Sequence, residues 1–406
     1  MDLGMTDRVR PMVEKLRRFV QDEVIPVEDE YHAEIGRSGD RWQPTERMLA
    51  IIAGLRQRAR SEGLWNLFLT DSKHGAGLTT VEYAYLAEEM GWSPLASSAT
   101  NCAAPDTGNM EVLARYGSKA QQEKWLKPLL EAEIRSAFVM TEPDVASSDA
   151  TNIAMPAVLD GDEWVLNGEK HFASGAGDPR CKILIVMAKT DPDAERHRQH
   201  SQILVPKDTP GVEIVRGMEV FGHDHAPHGH MHIRFNGVRV PKDNIIWEPG
   251  RGFEIAQGRL GPGRIHHAMR AIGQSERALK LMCERSVSRV AFGKPLAQLG
   301  ANHDIIAERR MAIDMARLLC LKAAYIIDTA SVREAQLYIS MIKVIAPRVA
   351  IETIDESIQL HGAAGLSQDF PLGEMYVSAR TLRLADGPDA VHRRQIARAE
   401  LKKYRN

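Results

Sequence analysis

Arg135-Ser-Ala-Phe-Val-Met-Thr-Glu-Pro143 is where the periodicity of the chain changes. Before it, apolar residues recur every three or four positions, as on one face of a helix. Ser136-Ala-Phe-Val-Met140 is instead short and strand-like, and Thr141-Glu-Pro143 breaks it, because proline brings no amide hydrogen to a ladder. Similar runs follow at 152–155, 164–172, 182–187, 202–205, 212–215, 230–235 and 238–240. Asp160-Gly161, Asn167-Gly168 and Asn236-Gly237 have the chemistry of hairpin turns, and 191–200 is a polar loop. Seven or eight short strands at this spacing predict an antiparallel sheet pair or a partial barrel.

On the N-terminal side, Val9, Met12, Val13, Leu16, Phe19, Val20 and Val24 share one helical face until Pro26 stops it. Met48 to Gly63 predicts a second helix with Gly63 as its C-cap. A third opens at Thr79, where Thr80 and Tyr83 do not make a capping box. Two more are predicted over 109–116 and 119–130. On the C-terminal side the helical period returns after Gly252, with long helices over 264–288, 302–329 and 331–359 and a break at Ala291-Phe-Gly-Lys-Pro295. Pro347 predicts a kink or an internal break in the last of these. Long amphipathic helices joined by short links predict an antiparallel bundle. The fold class is therefore α+β, with an N-terminal all-α domain (1–137), a central antiparallel β domain (138–245) and a C-terminal helical bundle (246–406).

The composition excludes several functions. A net charge of −2 leaves no surplus to neutralise phosphates, so nucleic acid is not the expected partner. The basic run of Arg393, Arg394, Arg398, Lys402, Lys403 and Arg405 interleaves with apolar residues and reads as a solvated helix face. Cys102, Cys181, Cys283 and Cys320 form no close pair, which fits a reducing compartment. The first residues lack a signal-peptide core, and no window approaches the about 18 apolar residues that a membrane helix needs. A cytoplasmic protein is expected.

Asp386-Gly-Pro-Asp389 joins two predicted helices. Either aspartate could cap the last helix. Alternatively, a carboxylate on a rigid turn beside Leu384 and Ala385 can have its pKa raised by desolvation and serve as a general base. His223, His225, His228, His230 and His232 resemble a metal tract, but no Cys or carboxylate completes a dedicated site with them, so a solvated strand face is the expectation and no metal is assigned. No G-x-G-x-x-G or P-loop pattern is present, which argues against a doubly wound nucleotide fold. The 138–149 segment ends a strand in a small-residue loop rich in hydroxyls and backbone donors, and Lys170-His-Phe-Ala-Ser174 pairs an aromatic plate with a hydroxyl. Together they describe a sheet edge able to grip a planar, hydrogen-bonding ring.

Taken in order, Met140-Thr-Glu-Pro143, Asn167-Gly-Glu-Lys170, Val238-Arg-Val-Pro241, Gly250-Arg-Gly252, Arg289-Val-Ala-Phe-Gly-Lys-Pro295, Gln359-Leu-His-Gly362 and Asp386-Gly387 resemble the acyl-CoA dehydrogenase family along nearly the whole chain. Leu384-Ala-Asp-Gly-Pro-Asp389 is similar to the subgroup of family members 10 and 11. The resemblance implies a C-terminal four-helix bundle, bound FAD, oxidation of an acyl-CoA thioester to the trans-2-enoyl-CoA, and electrons passed to an electron-transfer flavoprotein. By position it implies that Phe138, Met140, Thr141, Ser147, Ser148, Phe172, Ser174 and Pro388 contact FAD, with Phe172 where the family has tryptophan. The 144–149 loop departs from the family's Thr-Glu-Pro-Gly-Ala-Gly-Ser pattern by one residue and two glycines. Arg289, Phe292, Gln359, Gly362 and Ala363 match residues that reach the FAD of a neighbouring subunit, implying a homodimer or homotetramer. Ser148, Arg264 and Gly387 match substrate contacts, and Asp386 stands where many members have a glutamate base; Glu254, Glu374 and Asp389 are the other acidic candidates. An acyl-CoA oxidase, a flavin monooxygenase of the same fold, and a non-catalytic flavoprotein that binds a macromolecule are the alternatives.

Overall fold

The computed structural model describes residues 1–70 and 73–404, and of 259–262 the backbone alone; Arg405 of the basic run lies outside them. In chain order the helices are α1 (Arg10–Arg18), α2 (Glu28–Ala33), α3 (Glu46–Ser61), α4 (Thr80–Met90), α5 (Pro94–Ala99), α6 (Asp106–Tyr116), α7 (Lys119–Gln121), α8 (Lys127–Leu130), α9 (Gly252–Ser288), α10 (Asn302–Thr329), α11 (Val332–His361), α12 (Leu372–Thr381) and α13 (Asp389–Lys402). The strands are β1 (Arg135–Val139), β2 (Ala157–Asp160), β3 (Glu163–Ser174), β4 (Cys181–Lys189), β5 (His200–Pro206), β6 (Val212–Gly217), β7 (His230–Pro241), β8 (Val290–Ala291) and β9 (Lys294–Pro295). The fold is the expected succession of a helical region, a sheet region and a helical region.

The chain divides into two compact units, one formed by Met1–Pro26, Leu78–Ser97 and Gly261–Asn406, the other by Val27–Gly77 and Ser98–Leu260. In the first, α11 packs on α10, α12 and α13, while α4 packs on α10 and α1 on α4. Two N-terminal helices therefore share the core of the C-terminal bundle. Gly91 lets α4 and α9 approach closely, since a Cβ there would run into the Arg270 backbone. The start of α4 is a capping box, but it is built one residue earlier than the pair weighed in the sequence. The Thr79 hydroxyl accepts from the Glu82 amide at 3.1 Å, and the Glu82 carboxylate accepts from the Thr79 amide at 3.0 Å. Helix α11 runs unbroken through the buried Pro347, and α9 begins at Gly252 rather than Arg264.

The second unit holds two sheets, β1-β4-β5 and β2-β3-β7-β6. Ala137, Val139, Leu166, Val186, Ile203, Ile233 and Phe235, drawn from both sheets, share one apolar core. The expected antiparallel order holds except for β1 and β4, which pair in parallel. Between them the chain crosses into the other sheet, and a connection that long removes the hairpin constraint on direction. Asp160-Gly161 is a hairpin turn as expected. Asn167-Gly168 and Asn236-Gly237 are not turns. They lie inside β3 and β7 at a shared irregularity, where the Asn167 side chain accepts from the Gly237 amide at 2.7 Å. Among the described residues no helix is long and apolar enough to cross a membrane.

Candidate active site

In the sheet unit, side-chain parity along β3 sets the geometry. Trp164, Leu166 and Lys170 point into the core, so a lysine ammonium is fully buried and must find partners there. It donates to the Glu142 carboxylate at 2.8 Å, the Met140 carbonyl at 2.9 Å and the Met187 carbonyl at 2.6 Å. Burial lowers its pKa to about 8, against the pull of Glu142. Glu142 also accepts from the amides of Ala154 and Met155, at 2.8 and 2.9 Å. The His171 amide donates to the Thr141 carbonyl at 2.9 Å. Thr141 is thus held from both sides, half-buried, at the end of β1.

A bulge between Lys170 and Ala173 lets both face inward and pushes Phe172 out. Phe172 adopts φ +52° and is 44% exposed, an aromatic ring displayed beside the fixed Thr141 segment. Two residues on, the Ser174 hydroxyl meets His230 Nδ1 at 2.8 Å across the β3–β7 pair. Phe138 and Met140 are half-buried. Ser147 is engaged within its own loop, accepting from the Glu142 amide at 2.9 Å, whereas Ser148 is exposed.

The histidine tract is not the solvated strand face expected. His230 Nε2 lies 3.1 Å from His225 Nδ1, and His232 Nε2 lies 2.7 Å from the Glu169 carboxylate. Among the described residues no three His, Cys, Asp or Glu gather as a metal would require.

In the helical unit, Asp386 has φ +56° and is followed by Gly387 at φ +104°. A Cβ at Gly387 would sit 3.0 Å from His392 Nε2, so the turn needs glycine for space as well as for φ. Three basic side chains hold this turn through its carbonyls. Lys343 donates to Leu382 and Ala385 at 2.7 and 2.9 Å, and Arg264 and His392 reach the Asp386 carbonyl at 3.2 and 3.3 Å. All three are buried. Burial lowers Lys343 to about 8 and His392 to about 4, and holds Arg264 below its usual value. With its ring neutral, His392 serves as a donor through the Nε2–H tautomer.

The Asp386 carboxylate lies 3.5 Å from His267 Nε2. Its surroundings are therefore polar and basic rather than the apolar wall expected from Leu384, which is 61% exposed. Asp389 does not cap: Pro388 holds the N-cap position of α13 with no side-chain hydrogen bond, and Asp389 pairs with Arg383 at 2.7 Å. Glu254 is exposed and paired with Arg251 at 2.9 Å.

Arg289 and Phe292 belong to the β8–β9 hairpin, where Phe292 adopts φ +49° and is 95% exposed. Gln359, Gly362 and Ala363 are exposed at the C-terminal end of α11. Glu142, Lys170, Lys343 and His392 carry no assigned role in the sequence, and His230 figures there only as one of the histidine tract. For Lys170 a signal existed, a lysine in register with the inward Trp164 and Leu166. For Lys343 and His392 none did, since a bond to a distant carbonyl leaves no motif.

The chain matches the acyl-CoA dehydrogenase N-terminal domain over residues 6–133, the middle domain over 137–237 and the C-terminal domain over 250–401. It is 53% identical over 404 residues to acyl-CoA dehydrogenase family member 10 of Mus musculus, covering 98% of this chain and 37% of that protein. The probable acyl-CoA dehydrogenase FadE2 of Mycobacterium tuberculosis is 52% identical over 410 residues, covering 100% of this chain and 98% of that protein. The chain thus spans about a third of the first relative and nearly all of the second. A solved acyl-CoA dehydrogenase homologue from Mycobacterium abscessus is 51% identical and superposes with a TM-score of 0.95 over 99% of this chain and 100% of that one. The chain belongs to the acyl-CoA dehydrogenase family.

Proposed function

We propose that the protein oxidises an acyl-CoA thioester to the trans-2-enoyl-CoA, using bound FAD, with Asp386 as the base and an electron-transfer flavoprotein as electron acceptor. The observation that carries this reading is the Asp386 turn: a non-glycine residue in the left-handed region, clamped through its carbonyls by buried Lys343, Arg264 and His392. A turn fixed at that cost to backbone strain is one whose side chain must be aimed.

The α-proton of a thioester is far too weakly acidic for a carboxylate of pKa ~3.9 in water. The bound acyl chain withdraws Asp386 from water and so strengthens it as a base. Amide groups of the Asp386-Gly387 turn stabilise the charge that develops on the thioester oxygen. Arg264 holds the CoA portion. On the sheet unit, Phe172 offers the ring a face and Thr141 and Ser174 offer its edge hydrogen bonds, a donor set that fits a flavin. The flavin, when bound, supplies the acceptor for the β-hydride. The exposure of Arg289, Phe292, Gln359, Gly362 and Ala363 supports their reaching FAD held by a second protomer of a homodimer or homotetramer. The test is anaerobic bleaching of the flavin by acyl-CoAs from short to very long. Bleaching by at least one chain length is expected, and a yellow protein bleached by none of them contradicts the reading.

A further inference from the structure

We infer that His267 is a positioning residue for the proposed reaction, aiming the Asp386 carboxylate and holding it ionised through the ring Nε2–H. The inference deepens the proposed function and rests on Asp386 as its base.

One face of α9 addresses both parts of Asp386. Residues 264 and 267 stand three apart on that helix, so their side chains project to the same side. Arg264 Nε donates to the Asp386 carbonyl at 3.2 Å, and His267 Nε2 lies 3.5 Å from Asp386 Oδ2. The His267 and Asp386 side chains are 21% and 19% exposed, so little water screens the contact. On the far edge of the ring, Arg270 Nη2 lies 3.4 Å from His267 Nδ1. A guanidinium only donates, so Nδ1 accepts and the ring proton sits on Nε2, toward the carboxylate. The Nε2–Oδ2 separation is long for a hydrogen bond, as such contacts are before a substrate closes around them.

The main-chain clamp leaves two tasks undone. Lys343, Arg264 and His392 fix carbonyls of the turn, which places the Cα of Asp386 but not its side-chain torsions. Aspartate is one methylene shorter than glutamate, so a small swing of its side chain withdraws the carboxylate from the thioester α-carbon. Charge is the second task. Desolvation by the acyl chain strengthens the base, but carried too far it leaves the carboxyl protonated at neutral pH and unable to take a proton. An N–H beside one oxygen favours the ionised form and opposes that outcome. In turnover the α-C–H bond breaks, an O–H bond forms on Asp386, and the electron pair enters the new C=C bond as the β-hydride departs. Water takes the Asp386 proton when product leaves. His267 keeps its own proton throughout, so every cycle begins from the same state.

The test compares flavin-loaded wild type with His267→Leu, which removes the donor, and His267→Gln, which keeps an N–H in its place. The assay is single-turnover bleaching by an acyl-CoA that bleaches wild type. His267→Leu is expected to bleach about 10-fold or more slowly, with half-saturating acyl-CoA within about two-fold of wild type, and His267→Gln to recover most of the rate. In flavin-free protein labelled with ¹³C-aspartate, the Asp386 carboxyl signal, identified by its loss in Asp386→Asn, should titrate at higher pH in His267→Leu than in wild type. Arg264, His266, Arg270, Lys343, Asp389 and His392, the other charged or titratable groups described about this turn, are the same in both proteins. An unmoved midpoint in His267→Leu, whether or not its Tm falls, overturns the positioning role alone, and so does bleaching at the wild-type rate. Bleaching of Asp386→Asn at the wild-type rate overturns the base assignment beneath it as well.

Discussion

Replacing Lys343 by methionine removes the ammonium that holds the last turn before Asp386. Lys343 is 1% exposed and donates to the Leu382 and Ala385 carbonyls. Hydrogen bonds to a charged donor contribute ~1.5–3 kcal/mol each, and carbonyls left buried without a donor cost a comparable amount. Against this, methionine removes a buried charge whose desolvation is itself unfavourable, which the lowered pKa of about 8 records. The net loss should be ~2–4 kcal/mol, or ~5–15 °C in Tm for a unit of this size. Function should suffer separately. Asp386 occupies a backbone region that costs an ordinary residue ~1–2 kcal/mol, and without its clamp the turn can relax away from it. A displacement of about 1 Å costs up to ~10²-fold in rate. Lys343→Met should therefore lower kcat ~10–100-fold with a smaller change in KM. Thermal unfolding and steady-state kinetics on the same preparation check both. A variant with Tm within about 1 °C of wild type and unchanged kcat refutes the clamp.

Two further outcomes follow from the same structure. Lys170→Met leaves the Glu142 carboxylate buried without its cation, and should cost ~3–5 kcal/mol; adding Glu142→Gln should recover part of that loss, as urea unfolding of the double-mutant cycle would show. A double mutant as unstable as the sum of the singles contradicts the pairing. Acid should also destabilise the fold before carboxylates titrate. His230 and His392 are lowered to about 4 and His228 to about 3, so the unfolded chain takes up protons first as pH falls below ~6.5. Their contribution is fully present above ~6.5 and is lost toward pH 4, at a slope of up to ~1.4 kcal/mol per pH unit for each ring. Urea midpoints measured near pH 7 and near pH 5 should fall, and less so in His230→Asn; equal midpoints contradict the buried neutral state.

The order of helical, sheet and helical regions was legible because hydrophobic period is a local property, and so was the turn at Asp386. What surrounds that turn was not. Arg264, Lys343 and His392 come from three other helical stretches and act on carbonyls, which have no side-chain signature in sequence. The parallel pairing of β1 with β4 was hidden because a buried apolar strand reads the same in either direction. Asn167-Gly168 and Asn236-Gly237 carry turn chemistry, yet in β3 and β7 the same freedom of φ serves a bulge, and only the register of two distant strands decides between them. Phe172 was found as a displayed aromatic, but the bulge that displays it was not.

Asp386→Asn tests the central claim most directly. The substitution keeps the size of the side chain and the clamped turn while removing the base. The variant should remain yellow and folded, and acyl-CoA should bleach its flavin in single-turnover mixing about 10²–10⁴-fold more slowly than in wild type. Bleaching at the wild-type rate would show that another group takes the α-proton.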